Sequence, residues 1–148
     1  MSDEACDASP VPTATGALPD GLVLVSTPIG NLGDISMRAV TVLQAADLIL
    51  CEDTRTTARL LREYSITTKT AALHEHNEDS RIESVLRLLR DGKRVALVSD
   101  AGTPLVSDPG YRLVRAALAE GLKVGGVPGA NAAVLALTLS GLPPQPFL

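Results

Sequence analysis

A chain of 148 residues with 45% hydrophobic and 20% charged content has the size of one globular domain, long enough to bury roughly 70% of the surface its unfolded form exposes. Its formal net charge of −4 is accounted for by Asp3, Glu4, Asp7 and Asp20, so residues 21–148 are neutral and lack the overall basic field of a self-sufficient nucleic-acid binder, a local patch aside. No apolar run approaches the ~20 residues of a membrane span, the N-terminus lacks the basic-then-apolar order of a signal peptide, and Cys6 and Cys51 form no disulfide framework; a cytoplasmic protein with free thiols is expected.

Residues 1–20, rich in Ser, Thr, Ala and Pro and without Lys or Arg, read as a disordered acidic tail. The apolar run 21–26 suits a strand buried on both faces. After the loop 27–34, Ser36 caps a helix carrying Met37, Val40 and Leu43 that ends near Ala46. A strand at 48–51 follows, then a helix capped by Thr54 or Thr56 and running through Tyr64. Residues 70–73 make a shorter strand. Over 79–91, Ile82, Val85, Leu86 and Leu89 recur at helical spacing and Gly92 supplies the stop. The clearest strand is 94–99. Pro109 suits the first turn of a helix with Tyr111, Val114 and Leu118 along one side, ending at Gly121. A strand at 123–127 and an apolar helix over about 131–140 complete the series, closed by Gly141 and Pro143-Pro144. About five strands alternating with about five helices describe an α/β fold, a mostly parallel sheet flanked by helices, with strand order left open.

The unusual residues collect in the loops that follow strands, which share one edge of a parallel sheet and form the ligand edge of open α/β folds. Pro28, Gly30, Gly102, Pro104 and Gly129 look like shaped backbone rather than generic solvated loop, so a small-molecule site along this edge is the working reading. There is no Gly-x-Gly-x-x-Gly run after the first strand and no phosphate loop. His74 and His76 could share a face as metal ligands beside Glu75 or Glu78, but no third strong ligand stands at a recognisable spacing, and they read instead as hydrogen-bonding residues with no metal. Arg55, Arg59 and Arg62 form a basic stripe at i, i+4, i+7, either a solvated face or a phosphate contact. Aromatics are too few for a base-stacking platform.

Five segments in order, 26–36 (Ser-Thr-Pro-Ile-Gly-Asn-Leu-Gly-Asp-Ile-Ser), 51–55 (Cys-Glu-Asp-Thr-Arg), 74–78 (His-Glu-His-Asn-Glu), 98–111 (Val-Ser-Asp-Ala-Gly-Thr-Pro-Leu-Val-Ser-Asp-Pro-Gly-Tyr) and 127–131 (Val-Pro-Gly-Ala-Asn), closely resemble the ribosomal RNA small subunit methyltransferase I family of the tetrapyrrole methylase superfamily. The resemblance implies a homodimeric, two-domain enzyme that uses S-adenosylmethionine to methylate a cytidine ribose 2′-hydroxyl in the decoding region of 16S rRNA within the small ribosomal subunit. It implies that this chain is the first domain, the second being absent, and that the chain alone is weakly active or inactive. Carried over by motif, Pro28, Gly30, Asp100, Ala101, Gly102, Thr103, Ala130, Asn131 and Ala132 would border the methyl donor, and Asp100 would accept from its ammonium group. Glu52, Asp53, Arg55, Arg59, His74 and Asn77 would face the RNA, with Asp53 or His74 as a weak base. Where many relatives have Pro-Gly-Pro followed by Ser or Cys, this chain has Pro128-Gly-Ala-Asn131. A methyltransferase acting on a tetrapyrrole or another small acceptor, and a noncatalytic dimerisation or RNA-contact module, are the competing readings.

Overall fold

The computed structural model describes residues 18–74 and 77–146. The strands are β1 (Leu22–Val25), β2 (Leu48–Cys51), β3 (Thr70–Ala72), β4 (Val95–Val98) and β5 (Val124–Val127), and the helices are α1 (Met37–Ala45), α2 (Thr54–Glu63), α3 (Glu78–Arg90), α4 (Tyr111–Ala119) and α5 (Ala132–Leu139), with a single 3-10 turn at Leu32–Asp34. All pairings are parallel and the strand order is β3-β2-β4-β1-β5. The expected α/β class and alternation are therefore observed. No helix among the described residues is long and apolar enough to cross a membrane.

The order of the strands decides which face each helix covers. From β1 to β2 to β3 the chain moves toward one edge, and from β3 to β4 to β5 it moves back; right-handed crossovers then place the outward and returning helices on opposite faces. The two cores show this division. Val23, Val25, Ile49, Cys51, Ala96 and Val98 point to one face with Ala39, Val40 and Leu43 of α1 and Leu61 of α2. Leu22, Leu50, Val95 and Leu97 point to the other with Val85, Leu86 and Leu89 of α3 and Leu113 and Ala117 of α4. The period-2 alternation of each strand divides its apolar residues between two cores, which is why these strands read as unbroken apolar runs.

Helix starts differ from expectation in two places. The cap of α2 is Asp53, whose side chain accepts from the Arg55 amide, so neither Thr54 nor Thr56 caps it: a carboxylate one residue upstream reaches the orphan amide first. Pro109 lies outside α4, because Gly110 takes φ +117° as its N-cap and offers no side chain to the helix. The cap comes instead from α3: buried Glu78 accepts from the Leu113 amide at 3.1 Å, placing a carboxylate at a helix N-terminus, where negative charge is favoured. Glu78→Ala strands a buried N–H and is expected to cost about 1–3 kcal/mol, while Glu78→Gln keeps an acceptor and costs less. Urea titration checks this, and an unchanged midpoint for Glu78→Ala removes the proposed cap.

Residues 1–17 of the expected tail lie outside the described residues. Leu18 packs against the core on the α1 side, and Asp20 meets Arg94 at 3.3 Å and Lys123 at 3.5 Å. At the other end α5 is apolar except for Thr138 but has no buried residue; Leu135 and Leu139 are among its exposed side chains.

Candidate functional site

Neighbouring strands β1 and β4 send their following helices to opposite faces, so the loops at their carboxyl ends diverge. A crevice at such a switch point is where open sheets bind ligands. A cleft of about 220 Å³ occupies it, formed by Thr27, Pro28 and Gly30 after β1, Ser99, Asp100 and Ala101 after β4, and Thr56, Thr57, Arg59 and Leu60 from α2, with Leu32.

The two loops are fastened together by their own polar groups. The Thr27 amide donates to Gly102 O at 2.9 Å and the Gly102 amide returns a bond to Thr27 O at 3.1 Å, an isolated antiparallel bridge within an otherwise parallel arrangement. Thr27 Oγ1 donates to Ser99 O at 3.1 Å, Ser99 Oγ donates toward Gly102 O at 3.1 Å, and the hydroxyls of Ser26 and Thr103 lie 3.1 Å apart. Ser26, Thr27 and Ser99 are buried yet satisfied, so these polar strand ends rigidify the wall instead of destabilising it. Leu105 and Ser107 in the same loop have φ of 74° and 66°, a conformation that costs about 1–3 kcal/mol in a residue with a side chain and concentrates at functional loops.

On the donor side of the expected site, Pro28, Gly30, Asp100 and Ala101 line the cleft, while Gly102 and Thr103 bind the β4 loop to β1. Ala130, Asn131 and Ala132 follow β5 and do not line the cleft; Asn131 caps α5, its Oδ1 accepting from the Val134 amide at 3.1 Å. The β5 loop nevertheless lies tight against β1, since a Cβ added to Gly129 would stand 2.6 Å from Ser26 Cβ.

On the expected RNA side, Glu52 is exposed and Asp53 Oδ1 accepts from the Arg55 amide at 2.8 Å. The Arg55 guanidinium grips both Asp53 oxygens, at 3.2 and 3.0 Å. Hydrogen bonds from Arg55 hold the Asp53 carboxyl below the usual carboxylate range, which makes it a poorer proton acceptor. The Asp53 amide also donates to Asp100 Oδ1 at 3.3 Å, tying the β2 and β4 loops. Arg59 stands exposed on the cleft and His74 is exposed at the end of β3. Asn77 uses its side-chain amide on its own loop, accepting from the His74 amide at 2.9 Å and donating to Ala72 O at 3.1 Å. Glu75 and His76 lie outside the described residues, and among the described ones no three His, Cys, Asp or Glu gather as metal ligands.

Two buried groups were not singled out from the sequence for this cleft. Thr57 is 4% exposed and its Oγ1 has no hydrogen-bond partner. It is near enough to the Cys51 thiol to pull that group's pKa down somewhat, against the stronger upward push of burial, without reaching hydrogen-bond geometry. Cys51 itself is free and buried. Burial likewise pushes the Asp108 carboxyl up, with the Asp100 charge adding to the rise.

The sequence profile of the Tetrapyrrole (Corrin/Porphyrin) Methylases matches residues 21–147. Ribosomal RNA small subunit methyltransferase I of Mesorhizobium japonicum is 53% identical over 131 residues, covering 88% of this chain and 45% of the relative. Its counterpart in Escherichia coli O157:H7 is 52% identical over 126 residues, covering 85% of this chain and 44% of the relative. The chain thus spans about half the length of these curated relatives. Among solved structures, uroporphyrin-III-C-methyltransferase from Thermus thermophilus superposes with a TM-score of 0.60 at 24% identity, over 83% of this chain and 54% of that one. Cobalt precorrin-4 methyltransferase does so with a TM-score of 0.63 at 21% identity, over 80% of this chain and 49% of the other. At these identities the likeness is one of fold.

Proposed function

Because the chain belongs to the tetrapyrrole (corrin/porphyrin) methylase family, we propose that it is the first domain of an S-adenosylmethionine-dependent methyltransferase acting on a cytidine ribose 2′-hydroxyl in the decoding region of 16S rRNA. The observation that carries this reading is the cleft at the β1/β4 switch point, where the acidic end of β4 faces the basic side of α2. Sequence likeness to relatives named for small-subunit rRNA methylation supports RNA as acceptor over a small molecule.

The residues present fit such a donor. Its amino-acid part needs a carboxylate for the ammonium and close backbone approach, and Asp100 stands exposed beside Ala101, with Gly30 leaving open space where a Cβ would be. When bound, S-adenosylmethionine supplies a methyl group on a positively charged sulfur. The protein's part is to hold the acceptor oxygen in line with that methyl and to receive the hydroxyl proton, and positioning contributes most of the rate. His74 is the better candidate for the proton, since Arg55 already engages Asp53. The first-domain reading also accounts for α5, since a helix apolar on nearly every side is one that a further domain or a second subunit covers.

Transfer of labelled methyl to small ribosomal subunits, against a tetrapyrrole acceptor, tests the proposal on the whole protein. Label in 16S rRNA at an alkali-resistant linkage, the mark of a 2′-O-methyl, is expected. Label on the tetrapyrrole favours the small-acceptor reading, and label on a base defeats the 2′-hydroxyl.

A further inference from the structure

We propose that the open pocket at the start of α4 holds the base of the acceptor cytidine, with Tyr111 stacked on the base and the Asp108 carboxylate accepting from its exocyclic amine. This rests on the RNA reading given above and gives it a base-reading site separate from the donor cleft.

The pocket, of about 320 Å³, is lined by Glu78, Asp108, Pro109, Gly110, Tyr111 and Arg112, none of which lines the donor cleft. Its size is at the small end of the roughly 300–1,000 Å³ of small-molecule sites, which suits one nucleoside unit of a longer strand. It lies on the side of the sheet covered by α3 and α4, whereas the donor cleft opens toward α2, so the loop between β4 and α4 separates the two. That loop carries Asp100 at its start and Asp108 near its end, and the Asp100 charge is felt at Asp108. A base in the pocket would therefore carry its ribose over this loop toward the donor. The carbonyl of His74, the candidate for the hydroxyl proton, accepts from the Glu78 amide at 3.0 Å, which sets that residue beside the same pocket.

The side chains define the ligand. Tyr111 is 61% exposed, whereas Tyr64 is half-buried and spends its hydroxyl on Leu32 O at 2.8 Å. The Arg115 guanidinium lies over the Tyr111 ring, 5.8 Å from its centroid, and leaves the opposite side for a flat ligand. One ring is too little for a platform of several bases but holds one. The polar groups differ in what they have left to offer. Glu78 accepts from the Leu113 amide, and Arg112 grips Asp79 at 2.8 and 2.6 Å. Asp108 is half-buried, and no ion pair engages it among the described residues. Burial pushes its pKa up, and the nearby Ser99 hydroxyl offsets only part of the rise, as expected of a carboxyl with no cation beside it. Such a group accepts from the amine of cytosine and repels the carbonyl that uracil presents at the same place. Arg115 supplies positive charge for the adjoining phosphate.

The test is fluorescence anisotropy on the whole protein with short labelled oligocytidylate and oligouridylate, comparing Asp108→Asn, Tyr111→Ala, Tyr111→Phe and, as a charge control on α3, Arg87→Gln. The unaltered protein is expected to bind oligocytidylate about tenfold more tightly than oligouridylate. Asp108→Asn loses most of that preference, since a side-chain amide donates to uracil as readily as it accepts from cytosine. Tyr111→Ala weakens both about tenfold, Tyr111→Phe recovers most of that loss, and Arg87→Gln leaves the preference intact. Equal binding of the two strands by the unaltered protein, binding of neither at low salt, or a preference that survives in Asp108→Asn overturns the pocket. Undiminished binding by Tyr111→Ala overturns it as well, and this exposed position tests the pocket even where Asp108→Asn does not fold. Methyl transfer to small ribosomal subunits decides the methyltransferase reading separately, so label in 16S rRNA beside any of these results strikes the pocket alone.

Discussion

Asp100→Ala is expected to weaken binding of S-adenosylmethionine by about 10- to 100-fold, the range of a lost hydrogen bond to a charged group, while leaving the melting temperature nearly unchanged. The carboxylate sits at the exposed end of β4, and its hydrogen bond within the fold is a long one, from the Asp53 amide at 3.3 Å, so little stability depends on it. Its removal also relieves like charge on Asp108 and Cys51, where the Asp100 charge pushes both pKa values up. Asp100→Asn separates charge from shape, since it can still accept from the Asp53 amide but cannot neutralise an ammonium; most of the loss should persist. Titration calorimetry with S-adenosylhomocysteine identifies which cation is recognised. That molecule keeps the ammonium and lacks the sulfonium charge, so an equal loss for both ligands assigns Asp100 to the ammonium, and a loss confined to S-adenosylmethionine moves it to the sulfur. Full affinity in Asp100→Ala removes Asp100 from the donor site.

Much of this arrangement is legible in the sequence, and the parts that are not have a common cause. Helices over 37–45 and 78–90 and strands over 48–51 and 95–98 follow from local periodicity, which needs no knowledge of neighbours. Pro28, Gly30, Asp100 and Ala101 stand in the motif segments, and the structure brings them to one cleft. Strand order carries no comparable local signal, because the parallel pairing of β1 with both β4 and β5 is chosen by crossovers that span tens of residues. The cleft depends on that order. Glu78 was illegible for the same reason, since its carboxylate caps a helix that begins 33 residues later. The capping of α5 by Asn131 was likewise not read from the sequence, where the residue stands in a motif segment.

The arrangement of the three loops at this edge makes Gly129→Ala a damaging small change at the site. The added Cβ would stand 2.6 Å from Ser26 Cβ and 3.4 Å from Ser26 O, and these are backbone-anchored atoms rather than the far end of a flexible side chain, so the β5 loop must move away from β1. The Ser26 amide, which donates to Val127 O at 3.1 Å, and the Ser26–Thr103 hydroxyl contact at 3.1 Å are the first bonds to suffer. Overpacking of this kind costs about 1–3 kcal/mol. Ser26 leads directly into the Thr27–Gly30 wall of the cleft, and a shift of about 1 Å in such a wall is enough for roughly 100-fold in a positioned reaction, so methyl transfer should fall further than stability alone explains. Ser26→Gly distinguishes this clash from a general intolerance of alanine. Alone it is destabilising, since it removes a hydroxyl contact and adds a flexible residue, but combined with Gly129→Ala it removes the obstructing Cβ. The double variant should therefore be more stable than the sum of the single losses allows, by about 1 kcal/mol or more. Strict additivity in urea titrations would mean that the two loops do not meet as the structure has them, and the rigid wall inferred from their contact would go with it.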